Sequence, residues 1–315
     1  MRRDWSFNRQ GSRGIEGRAN TGFGRFSPLH QQSGSILDTL TKGRVALSIV
    51  SQTPTLDAEL LLCHLLGCKR SFLHAHAEVR LSDRQSRRYM TLLERRARGE
   101  PLAYVLGIKE FWSLPLRVTQ DVLIPRPETE LLVERALARI PAHQAMEIAD
   151  LGTGSGAIAL AIAHERPYSQ VTATDISQTV LAVASGNAAR LGLFNVQFVA
   201  GDWFAPLHGR FHIIVSNPPY VEASDPHLQD MALQFEPHEA LIGGADGLRN
   251  LDLIVQEARA FLHPGGWLIV EHGFEQGPAV RALFKRNGFD EVRSHLDLAQ
   301  QVRATTGQWH QASWK

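Results

Sequence analysis

The chain has 315 residues, enough for two domains of ordinary size. Lysine and arginine number 33 and aspartate and glutamate 32, so the net charge of +1 does not support a nucleic-acid binder that relies on overall basicity. No apolar run approaches the roughly 20 residues of a membrane helix. Two cysteines are too few to staple so long a chain, which favours a reducing, cytoplasmic setting.

The N-terminal residues 1–34 differ from the rest, because they carry six arginines against only two acidic residues. Glycine and serine interrupt this segment, and it lacks the apolar stretch of about 7–15 residues that a secretory signal needs. We predict a disordered Arg-rich leader over 1–34. An organelle transit peptide is the alternative, as is a start codon placed too early.

A small helical domain is predicted over residues 35–105. Helical patterns cover 35–52, 55–67 and 82–98. Thr55 is the expected cap of the second helix, and a glycine at its end suits the C-terminal stop.

A β-hairpin connector is predicted over 106–125. Its strands are expected at 111–118 and 122–124, with the turn at 119–121. Pro127 then begins a helix that is expected to extend to residue 140.

The remaining residues, 126–315, are predicted to form an α/β catalytic domain. Short apolar runs alternate with longer helical stretches, which predicts a parallel sheet with helices on both faces. The expected strands are 148–151, 171–174, 196–199, 211–215 and 267–270. The expected helices are 156–166, 178–192, 248–262 and 277–287.

A glycine-rich loop follows the first of these strands, in the string Asp-Leu-Gly-Thr-Gly-Ser-Gly that ends at Gly156. Its glycines let the backbone turn tightly and approach a ligand. Asp175 ends the next strand, where a carboxylate can accept hydrogen bonds from both ribose hydroxyls of a nucleoside. After the third strand, Asp202 and Trp203 can hold a flat base. The loop alone also fits a nicotinamide enzyme or a plain tight turn.

The string Asn-Pro-Pro-Tyr, residues 217–220, distinguishes these alternatives. Two consecutive prolines after an apolar strand fix an extended exit and present backbone carbonyls that have no neighbouring N–H. A simple turn rarely needs this rigid arrangement beside an asparagine and a tyrosine.

These motifs, in this order, resemble the class I methyltransferases that use S-adenosylmethionine. Further strings resemble the release-factor glutamine N5-methyltransferases, the HemK or PrmC family, over about residues 36–310. They are Asp57-Ala-Glu59, Gly99-Glu-Pro-Leu-Ala-Tyr104, Gly107, Glu110-Phe-Trp112, Leu123-Ile-Pro-Arg-Pro-Glu-Thr-Glu130 and Glu236-Pro237. The resemblance implies a Rossmann-like sheet with a small N-terminal helical domain and a β-hairpin connector. It also implies the substrate, the glutamine of the Gly-Gly-Gln motif in class 1 peptide chain release factors.

Residue roles follow from the resemblance by position. The cofactor-binding residues implied are Gly152, Thr153, Gly154, Ser155, Gly156, Asp175, Asp202, Trp203 and Asn217. The substrate-binding residues implied are Asn217, Pro218, Pro219 and Tyr220, of which Asn217, Pro218 and Tyr220 are catalytic. We hypothesise that the Asn217 amide oxygen and the Pro218 carbonyl accept the two amide hydrogens, and that the Tyr220 ring stacks on the planar amide.

Two other functions remain open at this point. The same Asn-Pro-Pro-Tyr element could serve adenine-N6 methylation of DNA or RNA on a flipped base, and a non-catalytic adaptor could bind translation factors. We predict no metal, because the cysteines and histidines of residues 63–76 fit no standard zinc spacing. We also expect a monomer with no direct DNA binding and no membrane association.

Overall fold

The computed structural model describes residues 34–310. The predicted leader, apart from Gly34, and the last five residues of the chain lie outside the described residues. Across the described range, no helix is both long enough and apolar enough to span a membrane.

Five helices form the N-terminal domain around one apolar core. They are α1 (Ile36–Leu47), α2 (Pro54–Leu66), α3 (Arg70–Ala75), α4 (Asp83–Ala97) and α5 (Leu102–Leu106). The prediction that Thr55 caps α2 is wrong: Thr53 is the N-cap and Pro54, with its fixed φ, takes the first helical turn. Helix α1 also ends earlier than predicted.

Two buried acids of α2, Asp57 and Glu59, and the buried Glu100 after α4 each pair with an arginine of α3 or α4. Asp57 is bound by Arg96 at 2.8 Å, and Glu100 is bound by Arg95 at 2.5 Å. These contacts explain why acids occur inside an apolar helical pattern.

The connector is a two-stranded hairpin of β1 (Ile108–Phe111) and β2 (Leu114–Arg117). Its turn lies at Trp112 and Ser113. A turn also occurs at 119–122, as predicted, where the Val122 N–H donates to the Thr119 carbonyl at 3.2 Å. The predicted strand at 122–124 is wrong, so this second turn does not join two strands. Trp112 and Ser113 both have positive φ, 51° and 60°, as a two-residue hairpin of type I′ requires. Asparagine and glycine usually occupy such turns, and because neither is present here the sequence did not indicate the turn.

A seven-stranded sheet forms the catalytic domain, in the order β5-β4-β3-β6-β7-β9-β8. The strands are β3 (Glu147–Leu151), β4 (Gln170–Asp175), β5 (Val196–Ala200), β6 (Phe211–Ser216), β7 (Leu262–Glu271), β8 (Phe289–Leu296) and β9 (Val302–Trp309). The five strands predicted, β3 to β7, run parallel as expected. The sheet is nevertheless mixed, because β8 and β9 were not predicted and β9 runs antiparallel to both β7 and β8. Strands β8 and β9 carry many charged and polar residues, so their sequence pattern did not indicate a buried strand.

Helices cover both faces of this sheet, as predicted. They are α6 (Glu130–Leu137), α7 (Ala157–Glu165), α8 (Gln178–Leu191), α9 (Arg249–Phe261) and α10 (Gly277–Arg286). Alternate residues of the central strands point to opposite cores: Ile213 and Val215 pack with α6 and α7, whereas Ile214 packs with α9 and α10. The order of strands reverses at β3 and β6, and ligands of open α/β sheets bind beyond the strand ends at this point.

Candidate active site

A cavity of about 440 Å³ opens at the C-terminal ends of β3, β4 and β6. Nine of the residues predicted for the site line this cavity: Gly152, Thr153, Gly154, Ser155, Asp175, Asp202, Trp203, Asn217 and Pro219. Three predicted residues, Gly156, Pro218 and Tyr220, do not line it. Gly156 is buried at the start of α7, where a Cβ would lie 3.0 Å from Leu160, so its role is close helix packing.

The glycine loop holds its shape through backbone hydrogen bonds to neighbouring strands. The Thr153 N–H donates to the Thr174 carbonyl at 2.9 Å, and the Gly154 N–H donates to Asp175 Oδ2 at 3.2 Å. Gly152 and Gly154 have φ of 69° and 57°, which favours glycine. At Gly154, apart from its chain neighbours, no atom of residues 34–310 lies within 4 Å of the position a Cβ would take. The loop therefore presents bare backbone to the cavity.

The buried carboxyl group of Asp150 holds this loop in place through hydrogen bonds. Its carboxylate accepts hydrogen bonds from the Thr153 hydroxyl at 2.6 Å and from the Ala159 N–H at 3.2 Å, both on Oδ2. The other oxygen, Oδ1, is buried without a hydrogen-bond partner among the described residues. Burial raises the pKa of Asp150 to about 7, and these two hydrogen bonds act in the opposite direction. The carboxyl therefore holds its proton to near-neutral pH.

Asp175 lies at the end of β4, beside the glycine loop, and also lines the cavity. Its two oxygens accept hydrogen bonds from the N–H groups of Gly154 and Ser177, at 3.2 and 3.0 Å. Burial raises its pKa, and these N–H groups counteract the rise. The next residue, Ile176, also lines the cavity and is 71% exposed. Sequence reasoning missed this apolar wall, although the position directly after the acidic residue was a usable signal.

Trp203 closes the side of the cavity near the third predicted strand, β5. Its backbone adopts a φ of 42°, and its carbonyl accepts a hydrogen bond from the Thr174 hydroxyl at 3.2 Å. The ring lies against Gly152, where a Cβ would come within 3.3 Å of it. Asp202 is exposed beside it. A flat apolar surface and a carboxylate are therefore adjacent, as a purine base would require.

Residues Asn217 to Tyr220 follow β6, and two of their four backbone carbonyls accept hydrogen bonds from side chains. The Pro219 carbonyl accepts from Asn250 Nδ2 at 3.0 Å, and the Tyr220 carbonyl accepts from Gln276 Nε2 at 3.0 Å. Within the part of the chain that the structure describes, neither the Pro218 carbonyl nor Asn217 Oδ1 has a hydrogen-bond partner. Asn217 lines the cavity, so its oxygen is open to a ligand there, whereas Pro218 is buried and does not line the cavity.

Tyr220 faces away from the cavity. Its ring packs against the core beneath α9 and α10, and its hydroxyl donates to Glu271 Oε1 at 3.1 Å. The placement of this ring therefore does not support stacking on a substrate amide. Tyr220 instead fixes the backbone turn that begins at Asn217.

Two family models match this chain. The PrmC N-terminal domain matches residues 38–107, and the methyltransferase small domain matches residues 127–235. A release factor glutamine methyltransferase from Salmonella typhimurium is 47% identical over 260 residues, which cover 82% of this chain and 94% of that protein. The corresponding enzyme from Coxiella burnetii is 49% identical over 254 residues, covering 80% of this chain and 91% of that protein.

The chain belongs to the release factor glutamine methyltransferase family. A third relative of the same name, from Yersinia pestis, is 49% identical over 259 residues, covering 82% of this chain and 94% of that protein. The family that the sequence motifs resembled is thus confirmed, and the Rossmann-like methyltransferase fold is confirmed with it.

Two strings shared with the family meet beside the cavity, where an ion pair joins them. Glu236, buried, accepts from Arg126 at 2.5 Å and from the Ile124 N–H at 3.1 Å. Arg126 itself lines the cavity. This ion pair ties the segment after the hairpin to the long loop that follows Tyr220. The sequence indicated these residues only as family strings, because the partners are 110 positions apart.

Far from this cavity, a cluster at the other end of the sheet resembles a metal site. Within residues 34–310, Glu147, His212 and His263 bring possible ligand atoms within 4.8 Å of one another. However, the Glu147 N–H donates to His212 Nδ1 at 3.0 Å, which leaves the ring proton on Nε2. Neither nitrogen of His212 is then free for a metal while this bond stands. The absence of a metal from the site stays a prediction.

Proposed function

We propose that this chain methylates the side-chain amide nitrogen, N5, of the glutamine in the Gly-Gly-Gln motif of class 1 peptide chain release factors, with S-adenosylmethionine as the methyl donor. The observation that carries the proposal is that Asn217, with a free amide oxygen, and the glycine loop line one cavity. The shared name of relatives that match over four-fifths of the chain supports the same substrate.

The cavity fits the proposed cofactor. Gly154 leaves open space where any side chain would intrude, which suits the methionine part. Asp175 offers carboxylate oxygens to a ribose, and Ile176 with Trp203 offers apolar surface to an adenine. When bound, S-adenosylmethionine supplies a methyl group that its sulfonium already activates.

The protein must then align and polarise the glutamine. An amide nitrogen is a poor nucleophile, because its lone pair is shared with the carbonyl. Asn217 Oδ1 and the Pro218 carbonyl accept its two hydrogens and direct the nitrogen toward the methyl carbon, at the roughly 3–3.5 Å of a near-attack geometry. As positive charge develops on nitrogen, both oxygens already face it, so they stabilise the transition state more than the ground state.

The test is Asn217→Ala, assayed with labelled cofactor on a release factor and on duplex DNA. Because Asn217 is also an implied cofactor-binding residue, turnover is measured at saturating cofactor. We expect it to fall about 10²–10³-fold on the release factor, as for the loss of one preorganised hydrogen-bonding group. Asn195→Ala is the matched control, because that amide bonds backbone carbonyls near the N-terminal end of β4, away from the cavity. Unchanged turnover in Asn217→Ala would refute the residue assignment, and label on DNA would favour adenine methylation instead.

The proposal places the enzyme in the cytoplasm as a monomer that binds no DNA directly. Its near-neutral net charge of +1 supports the last point.

A further inference from the structure

Three buried groups lie behind Asn217 and have no part in the mechanism above. Asn217 Nδ2 donates to the Thr129 hydroxyl at 3.2 Å, and the Tyr220 hydroxyl donates to Glu271 at 3.1 Å. Thr129 and Glu271 are 4% and 1% exposed. The Thr129 hydroxyl also faces the Glu271 carboxylate closely enough to affect its pKa. The four side chains therefore form one polar network behind the reacting amide, in which Asn217 with Thr129 and Tyr220 with Glu271 are the hydrogen-bonded pairs.

An asparagine side chain can present either of two faces. Its oxygen and its NH₂ group have nearly the same size, so rotation by 180° exchanges an acceptor for a donor. Only the oxygen can accept a hydrogen from the glutamine amide. A hydroxyl such as that of Thr129 both donates and accepts, so by itself it does not select the orientation.

Glu271 determines which way the Thr129 hydroxyl donates its hydrogen bond. An ionised carboxylate only accepts hydrogen bonds, and the Tyr220 hydroxyl already donates to one of its oxygens. The other oxygen of Glu271, Oε2, is buried without a hydrogen-bond partner among the described residues. The proton of Thr129 is attracted toward this open acceptor, which leaves the lone pairs of the Thr129 oxygen for Asn217 Nδ2. The Asn217 oxygen must then face the cavity.

We propose that Glu271 and Thr129 are positioning residues, which fix the direction of hydrogen-bond donation so that Asn217 presents its oxygen to the glutamine amide. The inference rests on the proposed function, since it assumes that Asn217 holds the substrate amide. It concerns two residues that touch neither cofactor nor substrate in the mechanism above.

The charge state of Glu271 sets a pH dependence. Burial raises its pKa to about 7; Glu128 raises it further, whereas Arg303 and the hydroxyls of Thr129 and Tyr220 lower it. The adjacent His272 is neutral in this range, because burial lowers its pKa to about 4. When Glu271 takes up a proton it can donate to Thr129, and the direction of the network is lost. Turnover should therefore fall as the pH drops through about 7.

The first test is Glu271→Gln, which keeps the shape of the side chain. Its amide can accept from Tyr220 and donate to Thr129, so Thr129 would donate to Asn217 and turn the Asn217 amide around. We expect kcat to fall about 10²-fold, as for one lost acceptor, with unchanged cofactor affinity. The decrease in kcat toward low pH that the titration of Glu271 causes should also disappear. Asp150 also titrates near pH 7, so the part of the decrease in kcat toward low pH that disappears in Glu271→Gln measures the contribution of Glu271.

The second test compares Thr129→Val with Thr129→Ser. Valine keeps the shape but removes the hydroxyl, so kcat should fall by about tenfold or more, whereas serine should keep wild-type kcat and the same pH profile. Ser169→Ala is the control for removing a buried hydroxyl, because Ser169 bonds the Gln144 carbonyl at the far end of the sheet. It should leave kcat unchanged.

The outcomes separate this inference from the proposed function. If Asn217→Ala is inactive while Glu271→Gln and Thr129→Val keep wild-type kcat and pH profile, the positioning role is refuted and the function stands. If Thr129→Ser loses as much activity as Thr129→Val, the side chain acts through packing and the inference fails as well. If Asn217→Ala is fully active, the function itself fails first.

Discussion

Gly154 offers the sharpest test of how the cavity holds its ligand. Its φ is 57°, and among the described residues no atom outside its chain neighbours lies within 4 Å of the position of a Cβ. Gly192, at the C-terminal end of α8, shares both properties, with a φ of 69° and the same open space. Gly192 does not line the cavity. The substitutions Gly154→Ala and Gly192→Ala therefore impose a similar backbone strain in two different places.

The expected magnitudes follow from these two facts. An alanine in the left-handed region costs about 1–2 kcal/mol, so both variants should lower the free energy of unfolding by similar amounts. Only the alanine at 154 adds a methyl group to the wall of the 440 Å³ cavity. Overpacking by one methyl group costs about 1–3 kcal/mol, which corresponds to a roughly 5–150-fold increase in Kd.

Titration calorimetry with S-adenosylmethionine measures the affinity, and urea unfolding measures the stability of the same preparations. We expect weaker binding in Gly154→Ala and wild-type binding in Gly192→Ala. If both variants bind the cofactor as tightly as the wild type, the glycine loop does not hold it, and the assignment of the cavity is wrong.

Two further predictions concern buried carboxyl groups. The pKa of Asp150 is raised to about 7 from 3.8, so the native state keeps a proton that the unfolded state loses, and its contribution to stability declines by about 4 kcal/mol as the pH rises from 4 through 7. Asp150→Asn should flatten the fall in unfolding free energy between pH 4 and pH 7, and an unchanged slope would contradict the burial argument. Arg126→Ala leaves Glu236 buried without its cation and should destabilise the protein by about 3–5 kcal/mol. Adding Glu236→Gln should restore much of that loss in urea unfolding; no recovery would show that Arg126 acts in another way.

Much of the catalytic domain was predictable because its signals are local. The five strands expected between residues 148 and 270 all occur, and the glycine loop, Asp175, Trp203 and Asn217 meet in one cavity. Glycines after a strand and prolines at its exit constrain the backbone where they stand. The hairpin turn was misplaced for the same reason, since Trp112 and Ser113 adopt positive φ without the residue types that usually signal it.

The sequence by itself determined which chemical groups follow each strand, since the carboxyl ends of parallel strands meet at one edge of a sheet. Only the tertiary structure decided which buried side chains contact these groups and orient them. Asn217 is oriented by Thr129, 88 positions away, and Tyr220 by Glu271, 51 positions away. Strand β9 enters the sheet beside β7 in a direction that its own residues do not reveal. Such pairings depend on how distant segments pack around a common core, and no local pattern of residues records them.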